Sequence, residues 1–571
     1  MTRDLLRDLA AVLVAALLVV AAVLVGTAIE RDDGTLHVGW PPLYAYWEPH
    51  MGPGTPAALV VAAAVVAYGP RLAARLPWRA LLGAAWATAT AWTFSLALVD
   101  GWQRGIARRL TTAYEYLQVI DRFDDIPRAL REFTGHILLH SPDHWPPHVA
   151  GHPPAATLTF VLLDRIGLGG GAWAGVWCIV VGATAAMAVL VTVRALAGED
   201  LARRAAPFLV SAPAAVWAGT SADGYFAAVA AWAVALLALA VTGRRPRTAA
   251  LGSGLLFGLT GYLSYGLMLI ALVAGTVLLL GRRRRRVLPF LLAGAAVVPL
   301  VFALLGFDWW EAYRLLVERY YEGAGGIRPY GYWVWANLAC TVLVVGPAAV
   351  AGLRRSTATA APLARTAARS LTRRTGALPA DADAPAGGSA TGQADARTNG
   401  TATGPAGAQT NGTATGPAGV AVTGPVTGLP TGALTSSANG SPPGPVTGLA
   451  TAPVTDPVTG LAIGPHGPGG GSESPGSQDA GSEGPGSGWR RLLGGRPLSG
   501  EQRLALLVLA AALAILAADL SGMSKAETER IWLPFAVWLP AAGALLTRPR
   551  GWLAAQTVLA LLLNHLLLTG W

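Results

Sequence analysis

Five of the nine histidines fall at His136, His140, His144, His148 and His152, a four-residue spacing that on an unbroken helix would make one face. Imidazole with Asp143 close by is the donor set a divalent metal such as Zn²⁺ takes, so His144, His148 and His152 are candidate metal ligands. That metal is the only cofactor the residues suggest. Pro142, Pro146, Pro147 and Pro153 interrupt the face, and the competing reading is a wet loop whose histidines bond backbone or lipid phosphate. Upstream, TFSLALVDGW ends an apolar run on Asp100. A carboxylate at that depth is partly desolvated, a condition that suits a general base, while the bland alternative is a helix-terminal acid before a glycine cap. A third group, Lys525, Glu527, Glu529 and Arg530 in SKAETERIWLPF, either orients a phosphate or sugar or is an ordinary solvated turn. The segment 307–330 and its flank carry Trp309, Trp310, Tyr313, Tyr320, Tyr321, Tyr330 and Tyr332 with Arg314 and Arg319. These aromatics suit an interfacial belt, or the flank of a sugar or isoprenoid chain.

The elements that must position these residues are membrane helices. The chain has 571 residues, of which 53% are hydrophobic and only 13% charged, about half the charged share of soluble domains, so a soluble globular enzyme is excluded. The apolar runs are 9–28, 57–72, 79–99, 171–193, 205–220, 225–242, 248–264, 267–281, 286–306, 331–353, 503–520, 531–547 and 551–569. They predict an all-α polytopic membrane protein of about thirteen transmembrane helices. The formal charge of +10 does not point to nucleic acid, because the arginines stand beside apolar runs as orientation signals do. Placing Arg3 and Arg7 in the cytoplasm also places the arginines at 71–75, 194–204, 244–247, 282–286, 354–355 and 548–550 inside. The N-terminus is then cytoplasmic and Trp571 outside, in a multi-pass plasma-membrane protein. The first run is read as a span and not as a signal peptide, since it ends in Glu30-Arg31-Asp32-Asp33 without a small-residue cleavage pattern. Two cysteines, Cys178 and Cys340, each inside an apolar run, make no disulfide framework.

Segment 153–167 has too few apolar positions to cross about 30 Å of hydrocarbon, and counting it as a span would put 282–286 outside, so it is read as an outer-face juxtamembrane helix. Segment 356–488 is rich in Ala, Gly, Thr and Pro and repeats TNGTATGPAG and PVTG, which predicts a long disordered cytoplasmic linker. Its Asn399 and Asn411 sequons are attributed to repeat drift. The resulting organisation is two N-terminal transmembrane helices with an outer loop over 1–78, a core over 79–355 with the outer loop 100–152, the linker 356–488, and a three-helix segment 489–571.

A span ending in an outward Asp, a long outer loop, His-Pro-Pro opening a short interfacial helix, the basic turn VRALAGEDLARR and then SAPAAVWAGTSADG together resemble the GT-C class. These membrane glycosyltransferases use polyprenyl-phosphate sugars, as the aminoarabinose and protein O-mannosyl transferases do. The Arg-dominated, Ala-rich chain resembles actinobacterial members, and the pattern covers about 79–243. The resemblance implies Asp100 as the catalytic base, His152 as the residue contacting the lipid phosphate, and Asp223 facing the same cavity. Glu527, Glu529 and Arg530 are further candidates for holding the donor. Two extra spans precede Asp100, which leaves Asp32 or Asp33 as the competing base, and Pro153-Pro154 is followed by Ala where the class often has Gly or Leu.

The expected function is sugar transfer from a polyprenyl-phosphate donor to an acceptor on the outer face, with membrane lipids as surroundings and no nucleic acid. The rivals are a transporter or lipid flippase, and a non-catalytic membrane scaffold. Against a carrier, the sequence has no visible repeat of helix halves and gathers its acids in outer loops.

Overall fold

The structure, a computed structural model, describes residues 3–375 and 497–570. The chain divides into a unit made of Met1–Leu378 with Glu483–Trp571 and a second unit, Pro379–Ser482, which lies outside the described residues. Most of the linker expectation falls there too. Its first part does not hold: 356–375 continues a helix begun at Tyr330, a stretch led by the strong helix formers Ala and Arg before the Gly and Pro content rises.

The principal helices are α1 (Arg3–Asp32), α2 (Thr55–Arg75), α3 (Trp78–Ala97), α4 (Ala155–Arg165), α5 (Gly171–Ala197), α6 (Glu199–Val210), α7 (Ala222–Thr242), α8 (Pro246–Leu263), α9 (Ala271–Leu280), α10 (Arg284–Leu304), α11 (Trp309–Glu322), α12 (Tyr330–Thr375), α13 (Gly500–Leu520), α14 (Thr528–Ile531) and α15 (Pro549–Leu566). Among the described residues eight helices are long and apolar enough to cross a membrane: α1, α2, α3 with its last turn, α5, α7, α10, α12 and α13. The other five apolar runs take different forms. Pro213 follows the end of α6 and splits 205–220. Pro534 and Pro540 confine 531–547 to a short helix, Leu533–Ala536, and a 3-10 turn, Leu539–Leu545. Segment 267–281 opens in the 3-10 turn Tyr265–Ile270 and leaves only ten α-helical residues, and α8 and α15 carry 18 each.

The fold is not purely helical. Strands β1 (Ala45–Trp47) and β2 (Leu567–Thr569) pair antiparallel, Tyr46 opposite Leu568. A three-residue pair carries no periodicity that a sequence reading could find.

Contacts sort the helix ends into two groups. At one end, Arg203 donates to the Ala73 and Leu76 carbonyls (both 2.8 Å), Arg503 to Leu196 O and Arg355 to Leu545 O. There Asp8 of α1, fully buried, lies 2.7 Å from Arg354 and 2.6 Å from Arg355 of α12; a carboxylate so placed would be strongly destabilising without those cations. At the opposite end lie Asp100, the 116–124 turn and the strand pair. The helix α4, about 16 Å long at 1.5 Å per residue, packs on that turn: its C-terminal Arg165 donates to Phe123 O (2.9 Å) and Asp124 O (2.8 Å), and Phe160 at its middle and His152 just before it pack on Tyr116. Within α12, Gly346 takes φ 79° before Pro347 and bends the helix, a conformation open to glycine at little cost.

Candidate functional site

Helix α3 tightens into a 3-10 turn over Leu98–Asp100, and Gly101 at φ 78° turns the chain away, so Asp100 is left at the helix mouth. Its Oδ2 accepts from Arg109 Nη2 at 2.9 Å, and its Oδ1 lies 2.8 Å from His50 Nε2. Arg109 also donates to Thr569 O (3.2 Å). His50 is carried by a strap tied to the end of α15: Glu48 N donates to Leu566 O (3.0 Å) and His50 N to His565 O (2.8 Å). The His50 ring places Nδ1 2.7 Å from Glu48 O. A carbonyl only accepts, so Nδ1 carries a proton, and the proton between Nε2 and Asp100 belongs to the pair. Asp100 is thus half of a proton-sharing pair held against a guanidinium, and all three side chains are less than one-fifth exposed.

A second cluster lies beyond the 219–223 turn. Thr220 Oγ1 donates to Gly105 O (3.2 Å), setting that turn on the segment that follows Asp100. Ser221 caps α7 by accepting from Asp223 N, and Asp223 Oδ2 accepts from Arg530 Nη1 at 2.7 Å. Arg530 Nη2 donates to Glu527 Oε2 (2.8 Å) and lies 2.9 Å from His148 Nε2, while His148 Nδ1 lies 2.9 Å from Glu115 Oε1. Arginine only donates, so His148 Nε2 accepts and its Nδ1–H points to Glu115. Arg328 stands 3.7 Å from Glu527 and donates to Leu36 O and Lys525 O. The result is a buried chain of alternating charge: Arg328, Glu527, Arg530 and Asp223, with Glu115 joined through His148.

The electrostatics follow from that alternation. Burial alone would lower the Arg530 guanidinium, but Asp223, Glu527 and Glu115 outweigh it and hold its pKa above the ordinary value. Burial alone would raise Glu527; Arg530 and Arg328 reverse it and hold the carboxyl below its usual range. Glu529, fully buried, has Oε1 accepting from Tyr44 N (3.1 Å), and burial pushes its pKa up to about 7. His152 is pulled down to about 4, chiefly by burial.

These positions decide several expectations. Asp100 and Asp223 come to adjacent turns at one end of the bundle. Asp32 and Asp33 are exposed, and Asp32 pairs with its neighbour Arg31, whereas Asp100 is held between His50 and Arg109. The 525–530 segment is not a solvated turn, since Lys525, Glu529 and Arg530 are buried, and Ala526 and Glu527 hold positive φ to turn the charges inward. His152, neutral at pH 7, donates Nδ1–H to His148 O (2.8 Å) and brings no charge to a phosphate. The histidine repeat disperses: His136 bonds Pro142 O, and His140 and His144 are exposed. Among the described residues no three of His, Cys, Asp and Glu converge to hold a metal. His148 has one ring nitrogen facing Glu115 and the other facing a guanidinium, so His144, His148 and His152 as arranged do not fit a tetrahedral shell. The aromatic segment divides: Trp310 and Tyr321 are exposed, Trp309 stacks on Tyr313, and Tyr320 accepts from Lys525 N.

Sequence reasoning missed His50, Arg109, Glu115 and Arg328. Arg109 and Glu115 sit in the loop already singled out, but nothing in their spacing marks them; His50 and Arg328 reach their sites only through long-range packing.

The raised Glu529 carries a pH signature. Its folded pKa of about 7 exceeds its ordinary 4.5, so the folded state holds the proton more tightly. This contribution to stability is complete below pH 4.5 and is lost as pH rises to about 7. Glu529→Gln should flatten the fall in thermal midpoint of the purified protein across that window; an unchanged slope would show that Glu529 does not titrate there. His152 acts with the opposite sign, its contribution present above its ordinary 6.5 and lost as pH falls to about 4, so His152→Gln beside Glu529→Gln separates the two effects.

No protein-family model, no curated protein and no solved structure matches the chain.

Proposed function

We propose that this protein is a membrane glycosyltransferase that moves a sugar from a polyprenyl-phosphate donor to a hydroxyl acceptor on the outer face of the plasma membrane. The proposal takes up the thirteen-run topology, with the N-terminus cytoplasmic and the C-terminus outside. The observation that carries it is the meeting, on either side of the 219–223 turn, of a proton-sharing acid, Asp100 with His50, and a buried guanidinium, Arg530, at one end of an apolar helical bundle. Group transfer from a lipid phosphate needs a place for the acceptor's proton and a fixed positive charge for the departing phosphate, both reachable from the lipid.

In this reading the acceptor oxygen attacks the anomeric carbon and its proton passes to the Asp100–His50 pair. The bond from that carbon to the phosphate oxygen breaks, and polyprenyl phosphate leaves with the bonding electrons. Arg530 supplies the fixed charge, with Glu527 and Asp223 holding its fork in place, and Arg109 orients Asp100. No metal is assigned a step, because the histidines do not offer a shell for one. The neutral His152 brings no charge to the donor.

The test is release of free polyprenyl phosphate from a panel of polyprenyl-phosphate pentoses and hexoses by the full-length protein in nanodiscs, with simple alkyl glycosides as acceptors. Release that depends on the acceptor is expected with at least one donor. Movement of intact donor lipid between leaflets of proteoliposomes without any release would replace this reading with the flippase.

A further inference from the structure

Far from the proposed site, at the other end of α2 and α15, four arginines line one cavity of about 510 Å³: Arg71 and Arg75 from the last turn and a half of α2, Arg548 and Arg550 from the start of α15. That this is the opposite end is fixed by the pairing of the two helices. Thr55 and His565 are 3.0 Å apart beside the Asp100 pair, whereas Arg550 Nη2 donates to Ala67 O at 3.3 Å. The lining contains no carboxylate, and none of the four arginines pairs with a described Asp or Glu.

The arginines are not explained by the stability of their own helices. At the C-terminus of α2 a cation is favourable, but Arg203 already donates to the Ala73 and Leu76 carbonyls there. At the N-terminus of α15 a cation opposes the helix dipole, so Arg548 and Arg550 cost stability where they stand. Arg548 adds a φ of 58°, a conformation that non-glycine residues seldom adopt. Four guanidinium groups of one sign in one groove repel one another until an anion is placed between them. The groove also borders apolar surface: Tyr68 and Leu72 of α2 are 59% and 51% exposed beside it, as lipid-facing side chains are.

We infer that this groove binds the phosphate headgroup of an anionic phospholipid, its acyl chains lying along the exposed apolar face of α2. The chemistry recognised is a phosphate anion held by bidentate guanidinium contacts. The apolar border and the place of the groove at the end of a membrane-length helix make a lipid, not a soluble phosphate, its source.

The experiment uses the full chain in neutral detergent, titrated with short-chain phosphatidylglycerol, with phosphatidylcholine, and with inorganic phosphate, reading the thermal midpoint and the lipid retained in native mass spectrometry. Phosphatidylglycerol should raise the midpoint and remain bound, while phosphatidylcholine and inorganic phosphate do neither. Each arginine removed should weaken apparent affinity about fivefold. The pairs Arg71→Gln with Arg75→Gln, and Arg548→Gln with Arg550→Gln, are made separately so that a folding defect in one leaves the other to decide. Retention of phosphatidylglycerol at wild-type affinity by either folded pair overturns the proposal. An equal shift with inorganic phosphate overturns the lipid assignment and gives the groove to a soluble anion.

Discussion

Asp100→Asn is expected to lower turnover in the release assay by about two to four orders of magnitude, the usual scale for loss of a general base, while the protein still inserts and still binds donor lipid. Asparagine keeps the shape and can still accept from Arg109, but it cannot take the acceptor's proton. Because Oδ1 shares a proton with His50, His50→Gln should also cut turnover, by less, and should change the pH dependence of kcat, which loss of a merely structural contact would not do. Asp32→Asn and Asp33→Asn are the controls: both acids are exposed, and neither substitution should matter. Near-normal turnover in Asp100→Asn alongside loss in Asp32→Asn or Asp33→Asn would move the base to the first outer loop. Retention of turnover in all three would remove the base from the mechanism, and with it the case for sugar transfer at this site.

Asp100 was legible in the sequence because its signal is local: an apolar run of spanning length, an acid at its end, a glycine after it. Its partners were not. His50 lies fifty residues earlier, in a loop whose course is set by a three-residue strand pair and by hydrogen bonds to the end of α15. No periodicity encodes such a long-range match. The charge cluster at 525–530 shows the same limit from another side. Composition could not separate a buried network from a solvated turn, since the deciding facts are two consecutive positive φ angles at Ala526 and Glu527 and the arrival of Asp223 from α7. The histidine repeat misled because spacing stands for proximity only on a continuous helix. Prolines leave the single short helix Pro147–Gly151, so His148 and His152 reach the interior and the earlier three do not. Pro213, Pro534 and Pro540 likewise interrupt apolar runs that hydropathy alone reads as whole.

Arg530→Met is expected to destabilise the protein by about 3–5 kcal/mol, the scale on which removing one partner from a buried ion pair acts. The reason lies in what remains: Asp223 stays buried without its cation, Glu527 keeps only the more distant Arg328, and His148 Nε2 loses the donor that fixes its tautomer. Asp223→Asn in the same background removes one of the stranded charges and should recover part of the loss, so the double variant should be more stable than the sum of the two single effects predicts. Arg530→Lys retains the charge but offers a point instead of a fork, and cannot meet Asp223, Glu527 and His148 together. It should therefore fold with a smaller loss and still release polyprenyl phosphate slowly, with the defect in kcat more than in KM if the charge acts on the departing phosphate. The thermal midpoint of Arg530→Met, Asp223→Asn, their double variant and Arg530→Lys in one detergent, read beside their turnover, separates the two roles. A wild-type midpoint in Arg530→Met would mean that the alternating chain does not hold α7 and α14 together. A wild-type kcat in a folded Arg530→Lys would take the guanidinium's fork geometry out of the transfer step while leaving its place in the fold.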